Sequence, residues 1–145
     1  MADDIEKRLR RLEDIQAIGQ LFIDYGQFLD AGDLDAYTSL FTEDGELKLG
    51  PMGQAQGREA IKEVMAKALD GLVGTSFHII SSPIIKLDGD RATSEVMWTV
   101  IQRGADGRPM VPMIGRHKDQ LVREQDGQWR FRLRRGFVDI PSKLP

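Results

Sequence analysis

From Asp4 to Asp30 apolar residues return every third or fourth position: Ile5, Leu9, Leu12, Ile15, Ile18, Phe22, Tyr25 and Leu29. That spacing predicts one long amphipathic helix. Gly32 follows as a left-handed stop, and Asp33 is placed to cap a second helix carrying Leu34, Tyr37, Leu40 and Phe41. "EDGELKLG" reads as a short strand and "GPMGQAQG" as a loop, after which "REAIKEVMAKAL" sets Ile61, Val64, Met65 and Leu69 on one side of a third helix. Beyond Gly74 the helical period gives way to alternation, broken by the Asp-Gly pairs of "LDGD", "ADGR" and "QDGQ". Each pair is a hairpin signal, so four strands over about 76–87, 91–103, 110–124 and 128–140 are expected to pair in sequence as an antiparallel meander. Helices first and strands later define an α+β fold. Strands this long twist and curl around whatever they cover, here the helices. The expected architecture is a cone-shaped α+β barrel, with three N-terminal helices packed in a curled antiparallel sheet and a pocket at the open end.

Composition narrows the function classes. The chain has 145 residues, 41% hydrophobic and 30% charged, which fits one folded domain over 1–145 with a core large enough to enclose a small cavity. Net charge is −3 and the basic residues are dispersed apart from a short "RLRR" near each end, so no nucleic-acid partner is expected. The N-terminus has no apolar run behind a basic start, and no stretch of about 18 apolar residues occurs, so no membrane association and a cytoplasmic location are expected. Cysteine is absent and histidine occurs twice, which rules out disulfides, thiolate chemistry and a histidine-rich metal site. Any chemistry falls to oxygen, imidazole or cationic groups.

The segment "YGQFLDAGDLDAY" holds three aspartates with different explanations. Asp33 and Asp35 suit the start of the second helix, where free N–H groups and the helix dipole favour a carboxylate. Asp30 stands in the last turn of the first helix, where the dipole disfavours an anion by up to ~1 kcal/mol. On the helical wheel it shares a line with Gly19, Ile23 and Gly26 at the edge of the apolar face, a half-buried place. It is a candidate functional carboxylate; a solvated acid on a fraying end is the plain alternative. Tyr25 lies inside the apolar face, and its hydroxyl needs a partner. His78 opens an apolar strand, "FHII", as a core histidine or a catalyst. His117, within "GRHKDQLV", reads as an exposed strand position or a pocket-lining residue. Trp98 and Trp129 serve either pocket or core, and Arg116 and Arg135 either clamp a ligand or sit on the surface. Gly-x-Ser-x-Gly, His-Glu-x-x-His and dinucleotide fingerprints do not occur.

Taken together, "IQAIGQLFIDYGQFLDAGDLDAYTSLFTEDGEL", "GREAIKEVM", "FHII…IKLDGDRATSEVMW" and "GRHKDQLVREQDGQWRF" resemble the SnoaL-like branch of the nuclear-transport-factor-2-like superfamily over residues 10–139. That superfamily includes dehydratases, isomerases, cyclases, binding domains and subunits of larger enzymes, such as aromatic-ring dioxygenases. The resemblance is poor to ketosteroid isomerases, which carry their aspartate where this chain has Lys48-Leu49-Gly50, and to limonene epoxide hydrolases, whose Asp-Arg-Asp set has no counterpart. Scytalone dehydratase, lindane dehydrochlorinase and bile-acid 7α-dehydratases share an aspartate ending the first helix and a histidine opening the following long strand. Asp30 and His78 match these, and Tyr25 matches a tyrosine of the bile-acid enzymes. The resemblance implies a cofactor-independent lyase or isomerase with Asp30, His78 and Tyr25 as catalytic residues. A small hydrophobic, cyclic substrate would lie against Phe22, Trp98 and His117. The resemblance also implies a homodimer or higher homo-oligomer. The alternative is a non-catalytic binding module or partner subunit.

Overall fold

The computed structural model describes residues 1–141. Its first helix, α1 (Ala2–Ala31), buries Ile18, Leu21, Phe22, Tyr25 and Leu29 along one stripe. The N-terminal turns behave differently: Ile5, Leu9 and Leu12, which the spacing assigns to the same stripe, are 55%, 53% and 63% exposed. The helix outruns the sheet. Asp14, which accepts hydrogen bonds from the Arg123 guanidinium and from Trp129 Nε1, is the first buried residue and marks where packing begins.

Gly32 ends α1 in the left-handed conformation, at φ 71°. Asp33 caps α2 (Leu34–Thr38), its Oδ1 accepting the Ala36 N–H at 3.1 Å. The sequence extends this helix through Phe41, but Phe41 opens β1 (Phe41–Lys48) and stands opposite Phe131. The Phe131 N–H donates to the Leu40 carbonyl at 2.9 Å. Pairing with the sheet outweighs a weak local period. After β2 (Gln54–Gln56), α3 (Arg58–Ala68) buries Ile61 and Met65.

The alternating region forms β3 (Ser76–Asp88), β4 (Arg91–Arg103), β5 (Pro109–Arg123) and β6 (Trp129–Ile140), within a residue or two of the sequence-derived limits. They pair antiparallel in chain order, and the sheet runs β2-β1-β6-β5-β4-β3. β1 joins β6 in parallel, a departure from an all-antiparallel sheet. The curled sheet packs its inner face on α1. Ala92, Ser94, Val96, Trp98 and Val100 of β4, with Gly115, His117, Asp119 and Leu121 of β5, make up the buried inner rows. None of the described helices is long and apolar enough to cross a membrane.

Candidate active site

α1 and β3 meet where the helix has no side chain. A Cβ on Gly26 would stand 3.2 Å from the His78 carbonyl oxygen and 3.3 Å from Ile80 Cγ1. Glycine therefore lets the last turn of α1 lie directly on the strand. One turn later the Asp30 carboxylate accepts the His78 main-chain N–H at 3.0 and 3.2 Å from its two oxygens. Its Oδ1 also lies 2.7 Å from His78 Nδ1. The anion that the helix end disfavours is held by the strand instead. With Nδ1 donating to Asp30, a neutral His78 keeps the lone pair of Nε2 free to accept a proton. Both side chains are 18% exposed.

Tyr25, five residues before Asp30 and fully inside, meets Tyr37 hydroxyl to hydroxyl at 3.0 Å. Burial raises the pKa of both phenols, most strongly for Tyr37, where the Tyr25 hydroxyl adds to the effect. Neither ionises near neutral pH. The guanidinium of Arg134 lies 4.1 Å from the centre of the Tyr25 ring and 4.3 Å from that of Phe131. Arg134 itself is 0% exposed. Its Nε is 3.0 Å from Asp119 Oδ1, a charge contact without a directed hydrogen bond, and Nη1 has no protein partner. Ser94 donates to the other Asp119 oxygen at 2.8 Å. Burial raises the Asp119 pKa, against the opposing pull of Arg134 and Ser94.

His117 is a correction to the exposed position that its charged neighbours suggest. It is 6% exposed and faces inward with Asp119 and Leu121, while Arg116 and Lys118 turn to the other side of the sheet. Burial first, then the positive charge of Arg134 and the nearness of His78, hold its pKa well below 6.5. The ring sits edge-on to Tyr25 at 5.3 Å, and Nδ1 has no protein partner. Trp98 is 5.9 Å from His117, with its indole lying across Gly115. Its Nε1 is likewise unpaired. Phe22 is deeper, against Phe131 and Arg134, where it belongs to the core.

The structure thus brings Asp30 and His78 together, with Tyr25, His117 and Trp98 beside them and Phe22 further in. Arg116 and Arg135 do not face this interior. Arg116 pairs with Asp139 and Glu95 on the outer sheet face, and Arg135 is exposed. Sequence reasoning misses Arg134, because strict alternation from Phe131 puts Leu133 inward and Arg134 out. A bulge reverses this: Leu121 pairs with Phe131 but Gln120 with Leu133, so two β6 residues oppose one on β5. A groove of about 460 Å³ crosses the outer face between Lys86, Glu95, Lys118 and Arg135, and touches neither Asp30 nor His78. Its charged rim is made of surface side chains, with Thr93, Ser94, Asp119 and Gln120 of β4 and β5 at its floor. The fixed and buried groups are inside.

A curled sheet wrapped on helices matches the cystatin-like fold of nuclear-transport-factor-2-like proteins. The chain belongs to the SnoaL-like domain family, whose pattern matches residues 10–135. It is 30% identical over 122 residues to an uncharacterised protein of Mycobacterium tuberculosis, covering 83% of this chain and 82% of that one. Among solved structures, an NTF2-like protein with a cystatin-like fold from Novosphingobium aromaticivorans superposes with a TM-score of 0.88 at 27% identity, covering 94% of this chain and 89% of that one. A protein from the same organism, named as a candidate scytalone dehydratase, gives a TM-score of 0.73 at 28% identity over 88% of this chain and 85% of its own.

Proposed function

We propose that this protein is a cofactor-independent enzyme that removes a proton from carbon in a small hydrophobic, cyclic substrate, leading to elimination or isomerisation. The 2.7 Å contact between Asp30 Oδ1 and His78 Nδ1, in a carboxylate also fixed by the His78 main chain, carries this reading. His78 Nε2 takes the substrate proton. Asp30 holds the tautomer and stabilises the imidazolium that forms. The released electron pair either expels a leaving group from the neighbouring carbon or is reprotonated elsewhere on the substrate. The donors for an oxygen that gains charge on the way are the Tyr25 hydroxyl, His117 Nδ1 and Arg134 Nη1, the last two of which lack protein partners. Similarity to the candidate scytalone dehydratase supports a dehydration.

The test starts from the purified protein. Native mass spectrometry identifies a co-purifying molecule, and turnover of that molecule is compared in wild type, Asp30→Asn and His78→Ala. Loss of roughly 10²–10⁴-fold in kcat for His78→Ala, with the fold intact, is expected of a general base. A ligand that binds but is never turned over by the wild type would make the protein a binding module, with Asp30 and His78 a structural pair.

We also infer that a second copy covers the outer sheet face. Phe77 (64% exposed), Ile79, Met97, Phe137 and Ile140 lie there on three strands, β3, β4 and β6. The register sets Met97 beside Arg116 and Arg116 beside Phe137. Arg116 pairs with Asp139 and Glu95, and Lys118 pairs with Glu95 in turn, so the two cations and two carboxylates at the centre of this patch balance.

A further inference from the structure

β1 and β2 form a hairpin whose last paired residues are Lys48 and Gln54, leaving Leu49–Gly53 as its loop. The loop closes on itself: the Leu49 N–H donates to the Gly53 carbonyl at 2.8 Å, and the Gly53 N–H to the Gly50 carbonyl at 3.1 Å. Gly50, Pro51 and Met52 are exposed, whereas Leu49 is half-buried and packs on the core. Pairing of Lys48 with Arg135 brings Leu49 beside Gly136, the residue opposite His117. Leu49 Cδ2 lies 2.9 Å from the point a Gly136 Cβ would occupy, and His117 Cδ2 and Nε2 lie 3.5 and 3.6 Å from that same point.

With no side chain on Gly136, Leu49 and the imidazole close on the same point of the sheet, where a Cβ would crowd Leu49. That space is taken from the loop, by a half-buried side chain whose next three residues are exposed.

We propose that Leu49 is the gate residue of the interior: seated over Gly136, it separates His117 from solvent, and its departure opens a path to His117 whose width sets which substrates enter. A leucine suits that role, since its side chain can change between staggered rotamers with the backbone unchanged. Gly50 and Gly53, both at positive φ (59° and 121°), flank the loop where a swing would be absorbed. The gate concerns access alone and stands whether or not Asp30 and His78 are catalytic.

Carbethoxylation by diethyl pyrocarbonate reads this access directly, because the reagent attacks neutral imidazole. Peptide mass spectrometry follows His117 separately from His78, with N-acetylhistidine as the fully accessible reference. In the wild type His117 should react far more slowly than the reference. Leu49→Ala should raise its rate roughly tenfold or more, the change that about 1.4 kcal/mol less closing free energy produces, while Leu49→Phe should keep it slow. Leu49→Val gives a smaller change of the same sign and serves if Leu49→Ala does not fold. A wild-type His117 as reactive as the reference would overturn the gate, as would an unchanged rate in a folded Leu49→Ala or Leu49→Val protein.

Discussion

His117 is neutral in the fold, because burial and the Arg134 charge hold its pKa well below the ordinary 6.5. In the unfolded chain it takes a proton at the ordinary value. As pH falls below about 6.5 the unfolded state therefore binds the extra proton, and stability is lost at up to about 1.4 kcal/mol per pH unit until the folded pKa is reached. Urea unfolding at pH 7 and pH 5 should show a steeper loss in wild type than in His117→Gln. Asp119, whose pKa is raised, acts in the opposite sense but is present in both proteins and drops out of the difference. Equal pH dependence in the two proteins would contradict a buried, neutral His117. At this scale the sequence was half legible. Asp30 stood out because a helix end disfavours an anion, and the strand N–H that holds it supplies the reason. His117 was obscured by Arg116 and Lys118, which flank it in sequence but lie on the other face.

At the scale of elements, the site depends on how closely α1 approaches β3. A methyl group on Gly26 meets the His78 carbonyl and Ile80, so Gly26→Ala should push the helix off the strand and break the 2.7 Å contact between Asp30 and His78. Alanine gains about 1 kcal/mol of helix propensity, while crowding of this kind costs roughly 1–3 kcal/mol. Chemical denaturation should accordingly change by less than about 2 kcal/mol, with turnover falling far more than stability. Unaltered turnover would mean that the close approach does not matter. The three Asp-Gly pairs placed every hairpin of the meander, since such turns follow from local backbone preference. The β6 bulge, the end of α2 and the parallel β1–β6 pair were not readable, because each is decided by a partner distant in sequence.

For the whole molecule, apolar side chains among the described residues are left exposed on the outer sheet face and in the first turns of α1. A standard interface buries roughly 800 Å² per partner. The outer face carries its exposed apolar side chains on β3, β4 and β6 around the ion-paired Arg116, and is where we place the second copy. Light scattering coupled to gel filtration should show a wild-type oligomer that dissociates in Met97→Arg or Phe137→Glu, without loss of secondary structure. A monomeric wild type would remove this interface. The fold is legible from periodicity and turns; the Asp30–His78 pair is reached only through the family resemblance, because its contact joins residues 48 positions apart. The most direct test is the rate at which the substrate C–H proton is lost to solvent, followed by NMR in heavy water with the co-purifying ligand, in wild type and His78→Ala. A fall of roughly 10²–10⁴-fold in the folded variant is expected of a general base; equal rates in the two proteins would contradict it.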